Sequence, residues 1–98
     1  MVEYDGRIYA IKSPNTSKIY IGSTKHALLS RMMEHIRHAR CEKVKCKSRE
    51  IINAGSAYIE LIEEYKCGSR TELTKREYEI MRNTPNIVNS YKGKIEQV

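Results

Sequence analysis

Two short β-forming runs, Arg7-Ile8-Tyr9-Ala10-Ile11-Lys12 and Lys18-Ile19-Tyr20-Ile21-Gly22, constrain this chain most, with only Ser13-Pro14-Asn15-Thr16-Ser17 between them. β-Branched and aromatic side chains favour the extended backbone. Five turn-type residues between two such runs predict an antiparallel hairpin. From Leu28 to Ala39 the apolar period lengthens: Leu28, Met32 and Ile36 recur every fourth residue, with Leu29 and Met33 beside them, which predicts a helix. Thr24 or Ser23 is available to cap it. Lys43 to Asn53 reads as a second, shorter helix closed by Gly55, and Tyr58-Ile59-Glu60-Leu61-Ile62-Glu63 as a third strand. Ser69-Arg70-Thr71-Glu72 fits a capping box that opens a third helix running to about Arg82, and Pro85 stops any continuation before a tail, from Asn86 onward, that is irregular or lightly structured. The order β-β-α-α-β-α implies an α+β fold, a small three-stranded antiparallel sheet flanked by helices.

A chain of 98 residues is expected to form one domain with a modest core. No apolar run approaches the length of a membrane span, and the polar start Met1-Val2-Glu3-Tyr4-Asp5 is unlike a secretory signal. The three cysteines, at 41, 46 and 67, are odd in number and do not suggest a disulfide framework. A reducing compartment, cytoplasmic or nucleoid/nuclear, is therefore expected, with no membrane partner. His35, His38, Cys41 and Cys46 lack the spacing of a structural zinc site. All seven aromatic residues are tyrosines.

The net charge of +6 suggests a polyanionic partner. Arg37, Arg40, Lys43, Lys45, Lys47 and Arg49 crowd into one segment against Glu42 alone, a candidate face for tracking a phosphate backbone. At about 100° per residue, Arg31 and His35 share one edge of the first helix and border its apolar stripe. On the third helix Glu77 falls inside the apolar arc of Leu73, Ile80 and Met81. A carboxylate so placed needs a partner. Two readings are open, an ion pair with Arg31 or Arg76, or a metal ligand.

Taken in order, Arg7-Ile8-Tyr9, then Tyr20-Ile21-Gly22, then Arg31-x₃-His35, then Arg76-Glu77 and a late asparagine resemble the GIY-YIG nuclease superfamily over about residues 6–91. The members it looks most like are homing-endonuclease catalytic domains and small stand-alone viral or mobile-element nucleases. Arg7 stands where the first tripeptide of the name has glycine, with Gly6 just before it. Asn89, twelve residues past Glu77 and just after the Pro85 turn, fits the late asparagine better than Asn86.

This resemblance implies a metal-dependent DNA endonuclease. Glu77 would hold one divalent cation, Mg²⁺ foremost and Mn²⁺ as the alternative. Tyr9 would be the general base assisted by His35, and Arg31 would stabilise charge on the scissile phosphate. Tyr20 would orient phosphate or water with Lys18 nearby, Gly22 would be the motif glycine, and Asn89 would hydrogen-bond within the site. The rival reading is a catalytically silent nucleic-acid-binding module of the same fold. Site preference would come from residues 37–49, from a homodimer, or from a separate targeting protein, or it would be weak.

Overall fold

A computed structural model of the chain describes residues 4–88. Its elements are β1 (Tyr4–Ser13), β2 (Thr16–Thr24), α1 (Leu28–Ala39), α2 (Arg49–Asn53), β3 (Tyr58–Cys67) and α3 (Arg70–Arg82). The fold is α+β in the expected order. Its antiparallel sheet runs β2-β1-β3, so the first strand is the central one.

The centre of β1 explains that position. Ile8, Tyr9, Ala10 and Ile11 are all fully buried, which requires cover on both faces of the sheet. Ile8, Ala10 and Ile21 pack with Leu73 and Met81 of α3, whereas Tyr9 and Ile11 pack with Met32 of α1 and Ile51 of α2. Opposite Tyr9, β3 carries a bulge: Ile8 pairs with Glu63 but Tyr9 pairs with Leu61, leaving Ile62 as the extra residue.

Several local expectations need correction. The hairpin connection is two residues, because Ser13 and Thr16 still pair and only Pro14-Asn15 turns. That turn is fastened to the end of α2: Ser13 Oγ donates to the Gly55 carbonyl, and Asn15 Nδ2 donates to the Ala54 carbonyl at 2.8 Å. Neither Ser23 nor Thr24 caps α1, whose N-cap is Ala27 without a side-chain bond. The Thr24 hydroxyl instead accepts from the His26 amide at 3.0 Å. On α1 the buried stripe is centred on Met32, His35 and Ala39, which turns Leu29 (74% exposed) and Met33 (54%) to solvent.

The second helix is only Arg49–Asn53, and residues 41–48 form turns. Arg49 accounts for the difference. Its guanidinium donates to the carbonyls of His38, Ala39, Cys41 and Val44 at 2.6–3.1 Å, serving the end of α1 and the turns that follow it. Gly55 does close this helix, at φ 95°. β3 extends past Glu63 to Cys67. Ser69 caps α3 by accepting from the Glu72 amide at 3.3 Å, while the Glu72 carboxylate accepts from the Gly68 amide, one residue earlier than a standard capping box.

As far as the described residues reach, the tail is lightly structured, with one bridge to β2. The Ile19 amide donates to the Asn86 carbonyl at 2.9 Å, and the Val88 amide donates to the Ile19 carbonyl at 2.8 Å. Asn86 makes the turn at φ 62°. Ile87 then joins the α3-side core and Val88 the α1-side core, one on each face of the sheet.

Candidate active site

The site is built on the central strand and its neighbour. Tyr9 and Gly22 are cross-strand partners, and Tyr20 precedes Gly22 by two residues on the same face. A Cβ added to Gly22 would lie 2.5 Å from Tyr9 Oη, 2.6 Å from Cζ and 2.9 Å from Tyr20 Cε2. Glycine is needed here because the Tyr9 ring crosses the β2 backbone. We expect Gly22→Ala to cost about 1–3 kcal/mol, the usual range for overpacking, and to displace the Tyr9 hydroxyl. Thermal unfolding of the variant checks this, and an unchanged midpoint would show the ring yields freely.

That hydroxyl is held from two sides by α1. Arg31 Nε donates to Tyr9 Oη at 3.0 Å, and Tyr9 Oη lies 2.8 Å from His35 Nε2. Residues 31 and 35 are one helical turn apart, so both reach one point above the sheet. His35 is 5% exposed, and its other ring nitrogen, Nδ1, lies 2.8 Å from the fully buried Ser48 Oγ. Arg31 can only donate, and among the described residues His35 is the acceptor within reach of the buried Tyr9 proton. This sets the polarity of the chain. Arg31 donates to Tyr9, Tyr9 to His35 Nε2, His35 Nδ1–H to Ser48, and Ser48 to Cys46 Sγ at 3.3 Å. Tyr20 stands edge-on to the His35 ring, with centroids 5.0 Å apart.

Burial governs the electrostatics. Desolvation pushes the Tyr9 hydroxyl well above the ordinary phenol range, and neighbouring Tyr20 and Glu77 push the same way against Arg31. Tyr20 is raised chiefly by burial and then by Glu77. Burial, followed by Arg31 and His38, lowers His35 to about 4. His35 is therefore a neutral imidazole at pH 7, with its Nε2 lone pair facing Tyr9. In a pH titration followed by NMR, the His35 Cε1–H signal should keep its neutral position down to about pH 5. A midpoint near 6.5 would contradict this burial. The sign for stability is that of a depressed base: the contribution is full above about pH 6.5 and is lost as pH falls towards 4, by about 3 kcal/mol in all.

Glu77 reaches the site from α3, on the other face of the sheet. Ser23 of β2 donates a hydrogen bond to Glu77 Oε1. Neither expected arginine forms an ion pair with it. Arg76 makes a two-pronged pair with Glu63 at 2.8–2.9 Å and a second with Glu79, while Arg31 pairs with Glu34 at 2.7 Å. Burial raises the Glu77 carboxyl above its usual range; Ser23, Arg70 and Arg31 oppose this. Among the described residues no three His, Cys, Asp or Glu gather around one point.

The structure thus brings together Tyr9, Tyr20, Gly22, Arg31 and His35, while Glu77 is held at Ser23 from the α3 side and its charge adds to the upward shift of both tyrosines. Lys18, on the same strand face as Tyr20 and Gly22, is half-exposed and its Nζ pairs with Glu50 at 3.0 Å. Asn89 lies outside the described residues. Of the basic segment, Arg37, Arg40, Lys43, Lys45 and Lys47 are exposed, but Arg49 is half-buried and its guanidinium is turned onto backbone carbonyls. Sequence reasoning missed Ser48 and the role of Ser23. A serine in a turn and one on a strand carry no pattern that sets them apart.

Among the described residues no helix is long and apolar enough to cross a membrane. Searches of curated proteins and of solved structures find no match. The model of one family, the GIY-YIG catalytic domain, matches residues 5–92. With nearly the whole chain matched and both motif tyrosines meeting beside Gly22, this chain belongs to the GIY-YIG family of nucleases, which act on DNA.

Proposed function

We propose that this chain is a DNA endonuclease that hydrolyses phosphodiester bonds with Tyr9 as general base and one divalent cation at Glu77. The observation that carries the reading is the Tyr9 hydroxyl held between Arg31 Nε at 3.0 Å and His35 Nε2 at 2.8 Å. A buried phenol is rarely ionised at neutral pH, so it can take a proton from water only while giving up its own. Neutral His35 receives that proton at Nε2, and Ser48 keeps this nitrogen's lone pair free by accepting Nδ1–H. Arg31 Nε stabilises the negative charge that develops on the Tyr9 oxygen. The remaining nitrogens of the guanidinium offer further donors to phosphate oxygens. As the water oxygen bonds to phosphorus, the bond to the leaving strand oxygen breaks with its electron pair on that oxygen, which solvent protonates, and the imidazolium, disfavoured by its burial, returns its proton through Tyr9 to solvent once the strand is cut.

Glu77 fits a hard divalent cation such as Mg²⁺, with Mn²⁺ as the alternative. It is a single, partly desolvated carboxylate with no ion pair among the described residues, and Mg²⁺ keeps several waters and takes few protein ligands. When bound, such an ion supplies positive charge that offsets charge building on the phosphate oxygens. The test is supercoiled plasmid incubated with Mg²⁺ or with chelator. Nicked or linear product with Mg²⁺ alone is expected, and intact plasmid at high enzyme concentration would favour the silent binding module.

A further inference from the structure

Arg31, which holds the Tyr9 hydroxyl, also lines a cleft of about 270 Å³. Its wall includes Tyr4, Lys25, His26, Arg31, Glu34 and Arg70. These come from three places in the sequence, and specific contacts hold them together. Lys25 Nζ sits over the Tyr4 ring, 5.5 Å from its centroid, and Arg70 Nη1 lies 3.5 Å from Tyr4 Oη. One tyrosine thus keeps two like charges in the same wall.

Two further features fix the spacing. Arg7 donates through Nη1 to the carbonyls of Lys25 and His26 at 3.4 and 3.3 Å, pinning the loop between β2 and α1. The residue that departs from the family tripeptide therefore positions this loop. At Gly6 a Cβ would lie 2.6 Å from Leu73 Cδ1, so the missing side chain lets the first turn of α3 come down onto β1 and carries Arg70 to Tyr4.

The carboxylate in the wall, Glu34, is already engaged by Arg31 at 2.7 Å. Among the described residues neither Lys25 nor Arg70 forms an ion pair. Arg70 is also the first residue of α3, where a cation opposes the helix dipole and adds nothing to stability. Unpaired cations, held in place at some cost and adjoining Arg31, suit a polyanion that continues from the scissile group.

We infer that Tyr4, Lys25 and Arg70 form a subsite for backbone phosphates of the DNA strand flanking the one at Arg31. This rests on the endonuclease reading for its substrate, and adds a positioning surface separate from residues 37–49.

The test is DNA-duplex binding without metal, followed across salt concentrations, for the wild type, Lys25→Gln/Arg70→Gln and the charge-matched control Lys66→Gln/Lys75→Gln. The Lys25→Gln/Arg70→Gln double variant, at the lip of the cleft, should lower the slope of log K against log salt by about 1.8 and weaken binding about sixtyfold at 0.1 M salt. The control should change neither by as much as half. Lys25→Arg/Arg70→Lys should restore the slope, which a purely structural role would not. Equal effects of lip and control variants would overturn the subsite, as would a wild-type slope in the lip variant.

Cleavage kinetics separate this from the parent reading. If the wild type cuts DNA, the lip double variant should raise KM with kcat within about twofold, as loss of uniform binding does. Cleavage with KM unchanged in that variant sinks the subsite and leaves the nuclease standing. Lip-dependent binding without any cleavage leaves the subsite standing and sinks the nuclease.

Discussion

Tyr9→Phe should lower the rate of plasmid nicking by about 10²–10⁴-fold, the span that one general base ordinarily contributes. The ring still fills its place against Gly22 and Tyr20, so the variant should fold. Its stability should fall by about 1–3 kcal/mol, because His35 Nε2 loses its buried donor and Arg31 Nε its acceptor. The two readouts must be taken together. Circular dichroism at the assay temperature establishes that the protein is folded, and single-turnover cleavage then measures the chemical step. A folded Tyr9→Phe protein that cuts within about tenfold of the wild type would remove Tyr9 from the role of base.

Glu77→Gln separates function from stability in the opposite direction. The rate should drop by about 10³-fold or more, as expected when several kcal/mol of charge stabilisation is withdrawn, and added Mg²⁺ should no longer raise it. Stability at pH 7 should not fall. The folded-state pKa of Glu77 lies above its ordinary value, so its contribution is greatest at low pH and is lost as pH rises through the folded pKa. The charged form is therefore a liability at neutral pH that glutamine removes. The stability gap between wild type and variant should narrow as the pH falls through the carboxylate range. A variant that is markedly less stable at pH 7, or one that still responds to Mg²⁺, would argue for a structural glutamate.

The parts of this site that were legible in the sequence were those with a fixed geometric period. Arg31 and His35 share a helix edge because four residues make about one turn. Glu77 is conspicuous because charge is rare in an apolar arc. The hairpin and the cap at Ser69 follow from local chemistry. The parts that were not legible depend on contacts distant in sequence. Residues 43–48, expected as the start of a helix, form turns instead, and one arginine, at 49, collects four carbonyls there and at the end of α1, which no propensity registers. Ser48 matters only because the end of that turn falls beneath His35. Leu29 and Met33 fit the expected stripe, yet His35 takes the inward position that would have buried them.

The bridge between Ile19 and the segment around Ile87 has a consequence for self-association. β2 is an outer strand of the sheet, and Asn86 and Val88 occupy backbone groups of Ile19 on its free side. The other outer strand, β3, carries Glu60, Glu63 and Glu64 in sequence. Two copies pairing antiparallel about Ile62 would set Glu60 of each against Glu64 of the other, an arrangement that like charges oppose. Strand addition is thus opposed at Ile19 of β2 and, in that register, along β3.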